Sequence, residues 1–340
     1  MSLPTALAGI VVLLASIAGC LSHPDRSDVP TPFVLRSLNL REQDSEGRPA
    51  WQVTSPEARY DINRRLATAV RPVGVIYAVG KPLYQLTAER AMVVNDGEVI
   101  QLEGAVSIRR LGDRPVQVQA ERLRWYPARS WIDIEHQPSL REGLSRVRAG
   151  QASINLRTEV VQLRQNPVFE RWSTAAPSST APAPTPASTA SPPLSLQASQ
   201  AEWSLRSGDW RALGPIRGER RLPGTGAGQT VSASSMRGSS RDQNLELLAP
   251  VLLIDPAQTT RIEAQRTHID LVSQRIASEL PVRATAATLV VQGSGFTVDL
   301  KQNQALIPAG CQVRQPGWEL QAGQCRWNWI SRQIQAENDV

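Results

Sequence analysis

The sequence predicts an all-β protein built from about nine two-strand repeats, with no long helix after the N-terminal segment. Two observations carry this prediction. Proline and glycine are frequent, at 25 and 22 of 340 residues, which favours many turns over long helices. In addition, one strand pattern recurs nine times, and most of its copies follow one another at intervals of 29 to 35 residues.

The chain begins with an uncharged apolar segment that ends in Ile17-Ala-Gly-Cys20. This tetrapeptide resembles the bacterial lipobox, which makes residues 1–19 a signal peptide and Cys20 the lipid anchor of the mature chain. The segment lacks a Lys or Arg near its start, and its 19 residues are also just long enough for an uncleaved transmembrane helix. Both interpretations place the rest of the chain outside the cytoplasm, with residues 20–32 as a polar tether.

The recurring strand has a small residue, called the anchor, at a fixed position. An aliphatic residue stands two positions before each anchor and a polar residue one position before it, which is the alternation of a half-buried strand. After the anchor, the inward positions lie three and five residues further along the chain, whereas strict alternation would place them two and four residues further. One extra residue at a constant place predicts a β-bulge that bends the strand. The nine anchors are Ser55, Ala88, Ala120, Ala149, Ala198, Ala233, Ala264, Gly293 and Ala322.

Each repeat also contains a second strand, in which two inward residues flank a kink rich in glycine or proline. Clear examples are Leu102–Ile108, Ile134–Leu140, Leu163–Phe169 and Ile307–Val313. Two strands in each of nine repeats give roughly 18 short strands, and successive pairs can stack so that each buries its apolar row against its neighbours.

The repeats form two blocks, at residues 33–172 and 194–340. Between them, residues 173–193 consist almost entirely of Pro, Ala, Ser and Thr, a composition that cannot bury a core and predicts a disordered insertion. Without its 21 residues, the interval from Ala149 to Ala198 falls to 28 residues, close to the other intervals. The second block is therefore predicted to continue the array of the first, although the sequence leaves open whether they share one sheet.

Cys311 and Cys325 are separated by 13 residues, and no histidine lies close enough to complete a zinc site. In an oxidising compartment such a pair is predicted to form a structural disulfide. No metal site, nucleotide loop or nucleophile elbow is present, and Gly224–Gly228 lacks the Lys-Ser/Thr of a phosphate-binding loop. The sequence therefore predicts neither an enzyme nor a bound cofactor.

Arginine supplies 35 of the 37 basic residues in a chain of net charge +6. The guanidinium group suits bidentate contacts with phosphate or carboxylate. No basic run is interleaved with aromatic residues, so nucleic acid is not an expected partner. Four arginines taken to line the rim of the fold could contact phosphate, although an ordinary solvated surface position is the favoured interpretation for each; they are Arg59, Arg90, Arg122 and Arg124.

Several segments resemble a known family. The opening Phe33–Glu42 and the following Gly47–Tyr60 are similar to the start of the LptC family, and Gln119–Tyr126 is similar to the related OstA/LptA-type repeat unit. The resemblance is clearest over residues 33–172. The five repeats from Leu194 onward exceed the usual length, as in a long member of cyanobacterial type.

The resemblance implies a twisted β-jellyroll, folded like a taco, with an apolar trough between two sheets that holds the acyl chains of lipopolysaccharide. It also implies a periplasmic protein, anchored to the inner membrane, that takes lipid from an ABC transporter. Such a protein passes lipid to an LptA-like bridge through pairing of edge strands. The trough residues predicted as a group are Trp51, Tyr60, Leu86, Val93, Val118, Trp125, Val147 and Ile154.

Two alternatives remain at this stage. The chain could be a structural or adhesive envelope lipoprotein, whose trough is closed by large side chains along its whole length. It could also be the LptA-like bridge itself, although an N-terminal tether favours the subunit next to the transporter. The identity of the lipid and the oligomeric state are not predicted.

Overall fold

The structure is a computed structural model that describes residues 33–172, 194–221, 228–331 and 333–337, without the side chains of Arg221 and Gln258. The predicted signal peptide or anchor, Cys20, the tether and the insertion at residues 173–193 lie outside the described residues.

Within those ranges the chain forms 31 β-strands and no α-helix, which confirms the all-β prediction. Three short 3-10 turns occur at Asn95–Gly97, Pro127–Arg129 and Pro256–Gln258. The strands of the first block are β1 (Phe33–Leu35), β2 (Leu38–Gln43), β3 (Pro49–Ser55), β4 (Glu57–Asp61), β5 (Leu66–Val70), β6 (Val73–Ala78), β7 (Lys81–Thr87), β8 (Arg90–Val94), β9 (Val99–Arg110), β10 (Gln117–Tyr126), β11 (Trp131–Glu135), β12 (Ser139–Glu142), β13 (Ser145–Arg148), β14 (Gln151–Asn155), β15 (Val160–Arg164) and β16 (Val168–Arg171). Those of the second block are β17 (Leu194–Gln197), β18 (Gln200–Ser204), β19 (Asp209–Arg221), β20 (Gly228–Ser239), β21 (Asn244–Leu248), β22 (Val251–Asp255), β23 (Thr260–Ala264), β24 (Thr267–Asp270), β25 (Arg275–Ala286), β26 (Leu289–Asp299), β27 (Gln304–Ile307), β28 (Ala309–Gln315), β29 (Trp318–Ala322), β30 (Gln324–Asn328) and β31 (Gln333–Glu337).

Antiparallel pairing arranges these strands in two ladders, here called sheet A and sheet B, and six long strands contribute one half to each. Sheet A runs through β1, β4, β5, β8, the first half of β9, the second half of β10, β11, β14, β15, β18, the first half of β19, the second half of β20, β21, β24, the first half of β25, the second half of β26, β27, β30 and β31. Sheet B runs through β2, β3, β6, β7, the second half of β9, the first half of β10, β12, β13, β16, β17, the second half of β19, the first half of β20, β22, β23, the second half of β25, the first half of β26, β28 and β29.

The chain crosses between the sheets at regular corners. We call one run of the chain from a rim of one sheet, through a corner, to the rim of the other sheet a pass. Six passes are single long strands that continue through the corner, and twelve are pairs of short strands that meet at it. Thirty of the 31 strands therefore form eighteen passes. The roughly 18 strands that the sequence predicts correspond to these eighteen passes. The structure has more strands because most passes are interrupted at the corner. All nine anchors lie where the chain leaves sheet B for sheet A, and the strand register shifts there, for example between Ala120 and Arg122. The predicted bulge is this corner.

The reverse corners, from sheet A to sheet B, are built differently. Proline stands at seven of them and, because it donates no backbone hydrogen bond, it interrupts the ladder where the strand changes sheets. The corner inside β9 has Gly104 and Ala105 at positive φ instead. Gly104 has a φ of +74°, a backbone conformation that L side chains rarely adopt, which favours glycine there. The prolines are Pro72, Pro138, Pro167, Pro215, Pro250, Pro281 and Pro308.

Short strands have a corner at one end and a hairpin turn at the other, whereas the long strands have their corner in the middle. The sheets therefore join along a crease and end at two rims of turns. We call the space between the sheets the trough and the gap between the rims the mouth. Several turns on the rim of sheet A share one motif, in which a carboxyl or amide oxygen accepts hydrogen bonds from the backbone N–H groups two and three residues on. The residues that supply this oxygen are Asn155, Asp270, Asp299 and Asn328.

Strand pairing continues across the insertion. Strand β16, the last of the first block, pairs with β17 through Arg171 and Leu194, and β15 pairs with β18. One hydrophobic cluster extends from Leu38 to Cys325. The second block therefore extends both sheets of the first, which the sequence leaves open.

Candidate functional site

The predicted trough residues all lie on the inward rows of the two sheets in the first block. Six of them are buried, including Trp125 and Ile154, which are 2% and 0% exposed, whereas Trp51 and Tyr60 are half-buried. Trp51 packs edge-on against Trp125 across the trough, with ring centroids 5.6 Å apart. Side chains therefore fill this part of the trough, and whether these residues contact lipid stays a prediction.

Tyr60 lies toward the rim of sheet A. Its hydroxyl donates a hydrogen bond of 2.9 Å to Asp96 Oδ1, and Arg65 forms an ion pair with the same carboxylate. The carboxylate raises the pKa of Tyr60, and the Arg65 guanidinium together with the Tyr60 hydroxyl lowers the pKa of Asp96. This cluster links neighbouring turns of one rim.

A second ion-pair cluster closes the mouth of the first block. Arg110, at the end of β9 in sheet B, donates a hydrogen bond of 2.8 Å to Glu159, which lies in the β14–β15 turn of sheet A. Arg206 donates to the other oxygen of the same carboxylate at 3.0 Å. The Glu159 side chain is only 6% exposed. Tyr84 is buried beneath, and both its burial and the nearby Glu159 charge raise its pKa above the usual range.

The trough is more open in the second block. Inward aliphatic residues such as Val231, Leu253 and Ile276 are half-buried there, in contrast to their counterparts in the first block. A cavity of about 370 Å³ opens at the mouth, and a smaller one of about 100 Å³ continues toward the C-terminal edge. The larger volume falls within the range of about 300–1,000 Å³ that is typical of ligand pockets. The residues common to both cavities are Gln229, Thr230, Leu253, Ile276 and Leu300.

Two arginines that the sequence pattern did not single out line the larger cavity. Arg171 and Arg220 lie at the rim end of sheet B, and both are half-buried. The signal was present in the sequence, because strand alternation from the inward Phe169 places Arg171 on the inward row. Burial lowers the pKa of both guanidinium groups.

The four arginines expected at the rim occupy a different place. Arg59, Arg90, Arg122 and Arg124 alternate with inward residues of sheet A and therefore project from its outer face. Three of them form ion pairs with Glu103 or Glu135. The expectation that they line the rim is wrong, because the bend after each anchor puts these positions on the outer side.

Cys311 and Cys325 form a disulfide with a Cα–Cα distance of 5.8 Å. Cys311 lies on β28 of sheet B and Cys325 on β30 of sheet A, each three residues after a corner residue, Pro308 or Ala322. Both are buried. The bond therefore joins the two sheets beside the crease at the C-terminal end of the trough.

No cluster of His, Cys, Asp and Glu suited to a metal ion occurs in the part of the chain that the structure describes. In that same part, no helix has the length and apolar character needed to cross a membrane.

The chain is similar to solved structures and to a protein-family model. The solved structure of LptH from Pseudomonas aeruginosa, described as the LptA homologous periplasmic component of the conserved lipopolysaccharide transport device, is 13% identical to the chain, covering 43% of this chain and 94% of its own, with a TM-score of 0.30. No curated protein sequence matches significantly. A family model described as lipopolysaccharide-assembly, LptC-related, matches residues 4–167 and 220–312, and so includes much of the second block. This match covers most of the chain and confirms the resemblance, so the protein belongs to the LptC-related family, whose members are non-enzymatic components of lipopolysaccharide transport in the periplasmic envelope.

Proposed function

We propose that this protein is a membrane-anchored periplasmic lipid carrier of lipopolysaccharide export. In this proposal it receives lipid from an inner-membrane ABC transporter, holds the acyl chains in its trough and passes them to an LptA-like bridge. The observation that carries the proposal is the apolar trough between two sheets that share a crease and open at a mouth in the second block. Acyl chains that enter such a cavity gain about 25 cal/mol per Å² of apolar surface removed from water.

The free edges of the array support transfer between proteins. At the N-terminal edge, β1 and β2 each pair with one strand among those described, and the same holds for β29 and β31 at the C-terminal edge. Unpaired backbone groups on an edge strand can be extended by a strand of another protein. β1 also exposes Phe33, Val34 and Leu35, which gives the N-terminal edge an apolar surface.

The N-terminal segment supplies the membrane anchor in this proposal. Either Cys20 is lipidated after removal of residues 1–19, or those residues remain as a transmembrane helix. Residues 20–32 then separate the membrane from β1. Because the edge formed by β1 and β2 lies next to this tether, we propose that it faces the transporter and that the C-terminal edge faces the bridge.

A direct test is to purify the full-length protein from its native envelope and identify copurifying lipid by mass spectrometry. We expect lipopolysaccharide or a similar amphipathic lipid at near-stoichiometric amount. Ile269→Arg places a charge in the larger cavity and should remove most of this lipid, whereas His268→Arg, on the outward side of the same strand, should not. Purification of a folded wild-type protein without lipid would exclude the carrier function.

The alternative is a structural envelope protein that carries no lipid. The burial of trough side chains such as Trp125 and Ile154 favours this alternative for residues 33–172. A structural protein would copurify with envelope proteins but without lipid, and Ile269→Arg would then change only its stability.

A further inference from the structure

Four residues form a row across four neighbouring strands at the rim of sheet B. Arg171 on β16 is paired with Leu194 on β17, Leu194 with Arg220 on β19, and Arg220 with Gln229 on β20. All four line the mouth of the larger cavity. Arg171 and Arg220 are two strand spacings apart, so their backbones are separated by about 10 Å.

These two guanidinium groups differ in their partners from Arg110 and Arg146, two other partly buried arginines. Arg110 and Arg146 each form an ion pair with a buried carboxylate, at 2.8 and 2.7 Å. By contrast, Arg171 donates only to the neutral oxygens of Ser145 and Gln243, and Arg220 donates to Gln229, among the described residues. A half-buried cation without a carboxylate partner keeps much of its capacity to bind an anion.

The acidic side chains around this cavity accept hydrogen bonds from other groups. Asp270 accepts two backbone hydrogen bonds of 2.8 Å in the β24–β25 turn, on the opposite rim. Asp255 accepts a hydrogen bond from the Gln229 amide at 2.8 Å, and its charge favours the protonated form of Arg220 without an ion pair between the two side chains. Asp255 lies on β22 of sheet B and carries a negative charge, but Arg171 and Arg220 outnumber it, so the sheet B side of the mouth carries the net positive charge.

Below the row of arginines the cavity is apolar. Its wall on sheet B is formed by Leu196, Val231 and Leu253, and its wall on sheet A includes Ile269 and Ile276. Two cations at the mouth of an apolar cavity match an amphiphile that has an anionic head and a hydrocarbon chain.

We propose that Arg171 and Arg220 form a headgroup site for a phosphate-bearing acyl lipid, whose hydrocarbon chain enters the second-block cavity between the two sheets. This inference rests on the proposed carrier function and deepens it, because it assigns lipid binding to the second block and to two particular side chains. Guanidinium groups bind phosphate oxygens bidentately, which fixes the head at the mouth while the chain lies in the trough.

The test measures binding of two amphiphiles with the same chain, hexadecyl phosphate and hexadecyl maltoside, to full-length protein in solution. The wild-type protein should bind the phosphate at least about tenfold more tightly than the maltoside, as charge-assisted hydrogen bonds predict. Arg171→Gln/Arg220→Gln should reduce this preference to about twofold or less, with maltoside affinity unchanged. Arg211→Gln, an exposed position on the outer face of β19, should leave the preference intact.

Three results would overturn the inference. The double variant could keep the phosphate preference, or it could lose affinity for both amphiphiles equally, as a purely structural role predicts. Inorganic phosphate could also compete with hexadecyl phosphate at equal concentration, which would reveal an anion site that is independent of the chain. If one of these results is found but the wild-type protein still binds both amphiphiles, the headgroup site is excluded and the carrier function is not. If the wild-type protein binds neither, both proposals fail.

Discussion

Glu159 holds the two rims together in the first block. Its carboxylate lies between Arg110 and Arg206, is 6% exposed and comes from a turn residue at positive φ. Removing one partner of a buried ion pair is costly, because the other charge stays desolvated without compensation.

We therefore expect Glu159→Gln to lower the free energy of unfolding by about 3 kcal/mol, as measured by urea denaturation. The matched control is Glu319→Gln, which removes an exposed carboxylate that is paired with Arg314 and should lower the free energy of unfolding much less. Equal losses for the two variants would show that the Glu159 cluster does not join the rims.

Trp125 is the largest fully buried side chain in the trough of the first block and packs against Trp51. Trp125→Ala should therefore destabilise the fold by about 3–5 kcal/mol. The thermal unfolding midpoint measures this loss. If this tryptophan instead lined an open lipid path, its truncation would leave the midpoint nearly unchanged.

At the scale of single elements, the turns on the rim of sheet A depend on the side-chain oxygen that accepts two backbone hydrogen bonds. Asp270→Ala should cost about 1 kcal/mol, whereas Asp270→Asn keeps the acceptor, loses only the charge and should cost clearly less at pH 7. Asn155 and Asn328 already serve in the same position of other turns. A large loss for Asp270→Asn would mean that charge, not the acceptor geometry, stabilises the turn.

The same turns predict a pH dependence of stability. Backbone hydrogen bonds, from Ser273 to Asp270 and from Gln302 to Asp299, lower the pKa of both carboxyl groups. Since their folded pKa values are depressed, the stability they contribute is complete above the unfolded value of about 3.9 and is lost as pH falls further. Urea unfolding between pH 7 and pH 3 should show a decline that begins near pH 4 and is smaller in Asp270→Asn. An identical decline in the variant would remove Asp270 as a cause.

The Cys311–Cys325 disulfide joins β28 of sheet B to β30 of sheet A. Reduction of the otherwise unchanged protein should lower the free energy of unfolding by about 3 kcal/mol, the value for a loop of about 15 residues. Comparison of oxidised and dithiothreitol-treated protein in the same denaturant series measures this difference. Coincident unfolding curves would show that the sheets do not need the bond.

For the whole molecule, strand periodicity in the sequence predicts the passes, the corners and the continuity of the two blocks. These features follow from local alternation and from small or kink-forming residues, such as Ala120 and Pro167, which act on the backbone where they stand. The openness of the trough could not be predicted in this way. It depends on contacts between distant turns, such as that of Arg110 with Glu159, which no local pattern encodes. The inward position of Arg171 could have been read from the alternation, but its half-burial beside a cavity could not.

The central claim is that lipid occupies the second block of the trough and that side chains fill the first. The measurement that tests it most directly is site-specific photocrosslinking in cells, with a photoreactive residue at one position at a time. We predict strong lipopolysaccharide crosslinks from Ile269 and Ile276 in the open cavity, and none from His268 on the outer face. Ile154 belongs to the trough residues that the family resemblance implies, but because it is completely buried we predict no crosslink from it either. Crosslinks of equal strength from Ile154 and Ile269, or from His268 and Ile269, would contradict the account.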